Sequence, residues 1–230
     1  GAIHLDRPKL AFKFESDDQR MEAPIDFYKY CLRDSNQLIE EFMLLANISV
    51  ATFINEKFPE ISLLRHHAAP KESSLKKLVK TLTKHGIALD TSSSKAISKS
   101  IEDIVANAKY PSAMNAALND LASRTMSRAN YFCSGFAEKS DDFWHFALSI
   151  PMYTHFTSPI RRYADILVHR VLNAALNYEE PPKSTSDEVQ MMANVCNAQK
   201  YAAKLAGDDS SNLYFMHFVQ NLRCKTMSAA

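Results

Sequence analysis

Glycine is nearly missing from this chain. Of 230 residues four are glycine, and only Gly86, Gly135 and Gly207 lie away from the terminus. Hairpin turns lean on glycine because it reaches positive φ at little steric cost. So few of them argue against a hairpin-rich all-β fold and for long helices. The rest of the composition is that of a folded soluble chain, since 46% hydrophobic and 23% charged residues exclude a disordered polymer. With 27 Lys+Arg against 26 Asp+Glu, the net charge of +1 gives no global attraction to nucleic acid or membrane. Any basic surface has to be local. The uncharged apolar runs, such as residues 42–46, fall well short of the roughly 20 residues of a membrane span.

Hydrophobic periodicity then orders the chain. Residues 9–14 (KLAFKF) alternate with period two and predict a strand, and residues 26–32 predict a second, across a polar turn. A helix is expected from Asn36 to about Lys57, capped by Ser35 and ended by Pro59. Its apolar residues, among them Leu38, Ile39, Phe42, Leu45, Val50 and Phe53, cover nearly the whole circumference, which predicts burial on all sides. Residues 71–85 are amphipathic, with lysines as a solvated face and Gly86 in the usual C-terminal position. The serine-rich run 91–94 is expected to cap a helix over 95–106. Another helix is predicted over 111–122, continuing towards Phe132. Residues 143–150 (FWHFALSI) have strand character, 151–159 read as loop and 160–176 as a strongly amphipathic helix. Beyond Pro181 and Pro182, residues 186–209 predict a long helix, and 213–219 a final strand or helix end. The expected class is α+β, helix-dominated, with a few strands.

Cys31, Cys133, Cys196 and Cys224 lie far apart, which reads as reduced thiols in a cytosolic or nuclear protein. The first ten residues carry His, Asp, Arg and Lys where a signal peptide would be apolar, and there is no initiator Met. The start reads like the middle of a folded domain. His66 and His67 follow Arg65 in what is expected to be a solvated loop. His145, His155, His169 and His217 have no metal-ligand spacing.

The sharpest segment is residues 153–170, YTHFTSPIRRYADILVHR. Ser158 reads as an N-cap with Pro159 in the first helical position. Arg161 and Arg162 would then sit at the positive end of a helix dipole, an unfavourable place unless an anion joins them. A phosphate held by backbone N–H groups, the hydroxyls of Thr157 and Ser158 and a guanidinium fork would resolve the conflict. The competing reading is that Arg161 pairs with Asp165 at i,i+4 and Arg162 is solvated. Tyr153, His155 and Tyr163 interleave aromatic rings with the cations, a combination suited to single-stranded nucleic acid. A second feature is Glu40–Glu41 inside the apolar helix. A carboxylate there is costly to bury, so one of the two is expected either to enter a polar cleft with Asn47, seven residues on, or to lie on a solvent stripe.

Residues 153–170 resemble the signature of the ribonuclease II (RNB-domain) family of processive 3′→5′ exoribonucleases. Leu5–Asp6 with Leu10–Ala11–Phe12, residues 35–47 (SNQLIEEFMLLAN) and 131–135 (YFCSG) agree in the same order. The resemblance is to the eukaryotic Dis3-like branch, in detail to its Dis3-like 2 type. It implies that the chain is the C-terminal part of an RNB catalytic domain over residues 1–219, with 220–230 a tail or the start of a linker. It implies that Arg161 contacts the scissile phosphate and that Glu40 or Glu41 contacts the sugars near the 3′ end. Thr157, Ser158 and Tyr163 would line the same pocket, with Arg162, His155, Tyr153 and Asn47 as further RNA contacts. It further implies Mg²⁺, or Mn²⁺, in the hydrolysis, a cytoplasmic location and single-stranded RNA, 3′-uridylated RNA included, as partner. No membrane is implied, and exosome association is left open. The family's metal ligands, an Asp-x-Asp-Asp cluster, match none of Asp17–Asp18, Asp141–Asp142 or Asp208–Asp209 and are expected upstream of this chain. A non-catalytic RNB-like RNA-binding protein and a helical scaffold remain the other readings.

Overall fold

In the computed structural model, residues 2–3, 10–15, 24–29 and 33–228 are described, without the side chains of residues 29 and 223–228. The expectations for Leu5–Asp6, Asp17–Asp18, Cys31 and the end of the second predicted strand lie outside the described residues, as does the side chain of Cys224. The class is α+β and helix-dominated, with two small antiparallel sheets. In order, the elements are β1 (Leu10–Lys13), β2 (Asp26–Lys29), α1 (Asp34–Lys57), β3 (Leu63–His66), α2 (Glu72–Thr83), α3 (Ser94–Ala106), α4 (Pro111–Thr125), β4 (Asn130–Cys133), α5 (Tyr163–Ala175) and α6 (Ser186–Ser228).

The chain divides into two compact units. The larger, residues 1–7 and 37–197, holds two apolar clusters. In one, β3 and β4 pair antiparallel from Leu63 opposite Cys133 to His66 opposite Asn130. Ala51 and Ile54 of α1, Leu63 and Leu64 of β3, Val168 of α5 and Ala193 of α6 close the core around this sheet. In the other, Leu78 and Leu82 of α2, Ile97 and Ile101 of α3 and Leu118 and Ala122 of α4 pack into a three-helix module. Local chemistry sets its boundaries. The Ser93 side chain accepts the Ala96 N–H at the start of α3. Gly86 takes φ +72° after α2, where Ile87 N–H closes back on the Leu82 carbonyl. The smaller unit, residues 8–36 and 198–230, is a hairpin of β1 and β2 packed on α6, with Phe27 edge-on to Phe215 and Phe218 and Phe12 against Tyr214.

Several expectations are corrected. Helix α1 is not buried on all sides: only Asn47, Ala51 and Ile54 are buried, while Leu38, Ile39, Phe42 and Leu45 are each more than half exposed. Core elements cover its second half alone. By length and composition α1 is also apolar enough to cross a membrane, although Glu40 and Glu41 interrupt its uncharged run. Its buried polar Asn47 ties it instead into the protein interior. Residues 143–150 form no strand. His145 makes isolated bridges to His67 and Ile150 around a turn in which Ser149 adopts φ 56°. His66 and His67 are not loop residues, for His66 ends β3 and His67 is 5% exposed. Helix α4 stops at Thr125 and β4 replaces its expected continuation, whereas α6 runs through residues 213–219 and on to Ser228. Ser35 lies inside α1, whose start is tied instead by Arg33 N–H to the Asn36 side chain. Cys133 and Cys196 are free thiols.

Candidate functional site

The segment that precedes α5 has no secondary structure, yet it is fastened at almost every residue. Tyr153 is 5% exposed, and its hydroxyl accepts a hydrogen bond from Asn47 Nδ2 at 2.9 Å. Thr154 is fully buried and its hydroxyl donates to the Leu63 carbonyl at 2.7 Å. His155 Nδ1 pairs with the Tyr131 hydroxyl at 2.5 Å. Phe156 N–H donates to Asn47 Oδ1 at 2.8 Å, and its carbonyl accepts from His169 Nε2 at 2.9 Å. The His169 ring also stacks on the Phe156 ring, with centroids 4.3 Å apart. An irregular chain at such depth survives only when its backbone groups find partners, and α1, β3 and α5 supply them here.

The next residues make a turn. The Ser158 carbonyl accepts the N–H groups of both Arg161 and Arg162, at 3.3 and 3.2 Å. Asp165, 0% exposed in the first turn of α5, accepts Ser158 N–H at 2.7 Å. The same carboxylate receives Arg162 Nε at 2.7 Å and Nη2 at 2.8 Å, a two-pronged fork. Removing one partner of such a pair would leave a buried uncompensated charge, at roughly 3–5 kcal/mol.

This geometry separates the expected site residues. The helix starts at Tyr163, so Ser158 is not its N-cap and Pro159 is not its first residue. Ser158 N–H is occupied by Asp165, and the arginines precede the first helical residue, with Arg162 at the N-cap position. Arg162 is neither solvated nor free: its guanidinium is held by Asp165, which therefore does not pair with Arg161. Arg161 is exposed, and among the described residues its side chain has no hydrogen bond or ion pair. The hydroxyls of Thr157 and Ser158 are likewise unbonded and half-buried beside it, and Tyr163 is 55% exposed. Asn47 and Tyr153, expected as RNA contacts, spend their polar atoms on each other and on the loop, because the stripe of α1 that carries Asn47 enters the core.

Glu40 and Glu41 are both exposed. At about 100° per residue, Asn47 lies about 20° from Glu40 around α1 and about 120° from Glu41. Glu40 thus continues, two turns earlier, the stripe that grips Tyr153 and Phe156. The neighbourhood is cationic. Arg65 of β3 lies over the Tyr131 ring at 5.2 Å, and its pKa is lowered first by burial. Of the arginines here, Arg162 is paired with Asp165, and Arg161 is the exposed cation. Sequence reasoning passed over Arg65, Tyr131 and His169. Only the spacing of Asp165 and His169, four residues apart on one helix face, carried a signal.

Among the described residues no group of three or more His, Cys, Asp or Glu side chains could hold a metal ion. Asp142 accepts the backbone N–H groups of Glu138 and Lys139, and Asp208 pairs with Lys204.

The family described as RNB domain matches residues 1–178. DIS3-like exonuclease 2 of Xenopus tropicalis is 43% identical over 220 residues, covering 96% of this chain and 26% of the relative. A protein of Arabidopsis thaliana named inactive exonuclease DIS3L2 is 44% identical over 181 residues, 78% of this chain and 17% of its own length. Mycoplasma genitalium RNase R, solved in complex with ribose-methylated single-stranded RNA, shares the fold with a TM-score of 0.74 at 24% identity, over 95% of this chain and 33% of that one. The chain spans about a quarter of the length of the Xenopus relative.

Proposed function

The chain belongs to the RNB family, and from that premise we propose that it is part of a processive 3′→5′ exoribonuclease acting on single-stranded RNA. The observation that carries the reading is Arg161, an exposed guanidinium unpaired among the described residues, at the tip of a turn fixed on both sides. In hydrolysis of the last phosphodiester, water adds to phosphorus as the bond to the 3′-oxygen breaks. The released nucleotide keeps its 5′-phosphate. Charge grows on the non-bridging oxygens, and in this reading Arg161 neutralises it. The free hydroxyls of Thr157 and Ser158 and the exposed ring of Tyr163 flank the same point. Glu40, on the Asn47 stripe, is the glutamate assigned to the terminal sugars, and Glu41 is not.

The Mg²⁺ that the family implies does not fit the described residues, whose acids are dispersed or already bonded. What this chain contributes is therefore phosphate and sugar contact. The proposal includes 3′-uridylated RNA as a substrate and a cytoplasmic location, both of which rest on the resemblance read in the sequence alone. The second reading, a non-catalytic RNB relative that binds RNA, is favoured by the absence of a ligand cluster among the described residues and by the inactive Arabidopsis relative.

The first test is incubation of this chain with 5′-labelled single-stranded RNA and Mg²⁺, read on a denaturing gel. The label is expected to stay full length. A ladder shortening from the 3′ end and lost in EDTA would mean that metal ligands lie outside the described residues. In a full-length protein carrying this chain, Arg161→Ala is expected to abolish cleavage and leave most RNA affinity. Equal loss of both removes the transition-state role.

A further inference from the structure

Two residues on one face of α5 hold the loop that carries Arg161. Asp165 grips residue 158 and His169, four residues on, grips residue 156. Asp165 does more than fasten one end. Through Oδ2 it holds Ser158 N–H before the turn, and through both oxygens it holds the Arg162 guanidinium after it. The turn from 158 to 162 is thus closed at its base by one carboxylate, and Arg161 stands at its tip. The carboxylate itself has little freedom. Asp165 is wholly buried on a helix whose Ala164, Leu167 and Val168 sit in the core.

We propose that Asp165 and Arg162 are positioning residues, a clamp that aims Arg161 at an RNA phosphate while neither touches the RNA. The inference rests on the phosphate role given to Arg161 above and assigns the paired arginines opposite duties. An exposed arginine on a free loop would spend side-chain and backbone entropy on each phosphate it met. Fixing the backbone on both sides removes part of that cost before RNA arrives. The neutralised Arg162 adds no attraction of its own, because its charge is already opposed by Asp165 at hydrogen-bond distance.

The test is the salt dependence of binding of a short fluorescent single-stranded RNA to the chain, followed by anisotropy over a range of KCl concentrations. Each phosphate contact on a single strand adds about 0.7 to the slope of log K against log salt. Arg161→Ala is expected to lower the slope by about that amount. Arg162→Lys keeps a cation beside Asp165 but loses the fork, and is expected to lower the slope by up to the same amount. In the Arg161→Ala background it should lower it no further. Asp165→Asn should behave alike where it folds, as judged by a cooperative thermal transition, and Arg162→Lys carries the test where it does not.

A clamp with a merely structural duty would move the melting temperature and leave the slope alone, which overturns the proposal. A further drop of Arg162→Lys in the Arg161→Ala background makes Arg162 a phosphate contact itself and overturns it too. An unchanged slope in Arg161→Ala, or no RNA binding at all, refutes the phosphate role of Arg161 and the clamp with it. The single-arginine variant therefore tells the two failures apart.

Discussion

Lowering the pH to about 5 is expected to remove roughly 2 kcal/mol of stability through His145 alone. Its ring is 6% exposed, and its pKa is lowered from 6.5 to about 3, first by burial and then by the charges of His67 and Arg65. Nδ1 of His145 accepts the Leu148 N–H at 3.3 Å, and Nδ1 of His67 accepts the Ala147 N–H at 3.0 Å, so a proton on either nitrogen cancels a hydrogen bond. A group whose folded pKa lies below its unfolded value is fully stabilising above the unfolded value. That stability fades as the pH falls towards the folded one. For His145 the window runs from 6.5 down to about 3. Each pH unit inside it costs about 1.4 kcal/mol, so the 1.5 units above pH 5 cost about 2. His67, whose pKa is also lowered by burial, adds to the loss in the same direction. Urea unfolding at a series of pH values and constant ionic strength measures the slope. His145→Asn retains an acceptor for Leu148 and cannot titrate. Its stability is expected to fall less steeply below pH 6.5, by about 1.4 kcal/mol per pH unit. Parallel curves for the variant and the parent would refute the argument, because they would mean that the buried ring charges as readily as a free one.

Other perturbations separate scaffold from surface. Asn47→Ala strands the Tyr153 hydroxyl and the Phe156 N–H, and is expected to cost about 1–3 kcal/mol for each in denaturant titration. Tyr163→Ala is expected to leave stability unchanged and weaken single-stranded RNA binding by about 1–3 kcal/mol, the loss of one stacked base. Tyr153→Phe should do the reverse, lowering stability by about 1 kcal/mol with RNA affinity unaltered. Gly135→Ala would put a Cβ 2.5 Å from the Glu60 carbonyl oxygen and 2.9 Å from Ser186 Oγ, and a thermal melt should register a loss of about 1–3 kcal/mol.

The fold was legible where local signals acted alone. Ser93, Pro111 and Gly86 mark helix ends by their own chemistry, and the structure places ends there. Strands β3 and β4 were not legible. Each has four residues, and each is stabilised by a partner more than sixty positions away in sequence. The apolar run 143–150 misled for a related reason. It is pinned by His67 and Ile3 rather than by a neighbouring strand, with Phe146 N–H on the His67 carbonyl and Ile3 N–H on that of Ala147. The circumference of α1 misled differently. Apolar residues state what a helix has to hide, and the described core covers only the stripe of Asn47, Ala51 and Ile54.

The site was legible as a segment but not residue by residue. Asp165 stands four residues after Arg161 and three after Arg162, and both spacings allow an ion pair on a helix. A helix begun at Pro159 would choose the first. The observed start at Tyr163 leaves Arg161 outside the helix and hands the carboxylate to Arg162. The choice depends on a core that sequence alone does not display: Val168 and Ala164 seat α5, and Asn47 and Leu63 hold the preceding loop so that Ser158 N–H meets Asp165 before Arg161 can. The same logic explains why so many polar residues cluster in a segment that contacts so little. Tyr153, Thr154, His155, Arg162, Asp165 and His169 are engaged with the protein, and their combined effect is to present Arg161, whose guanidinium none of them bonds.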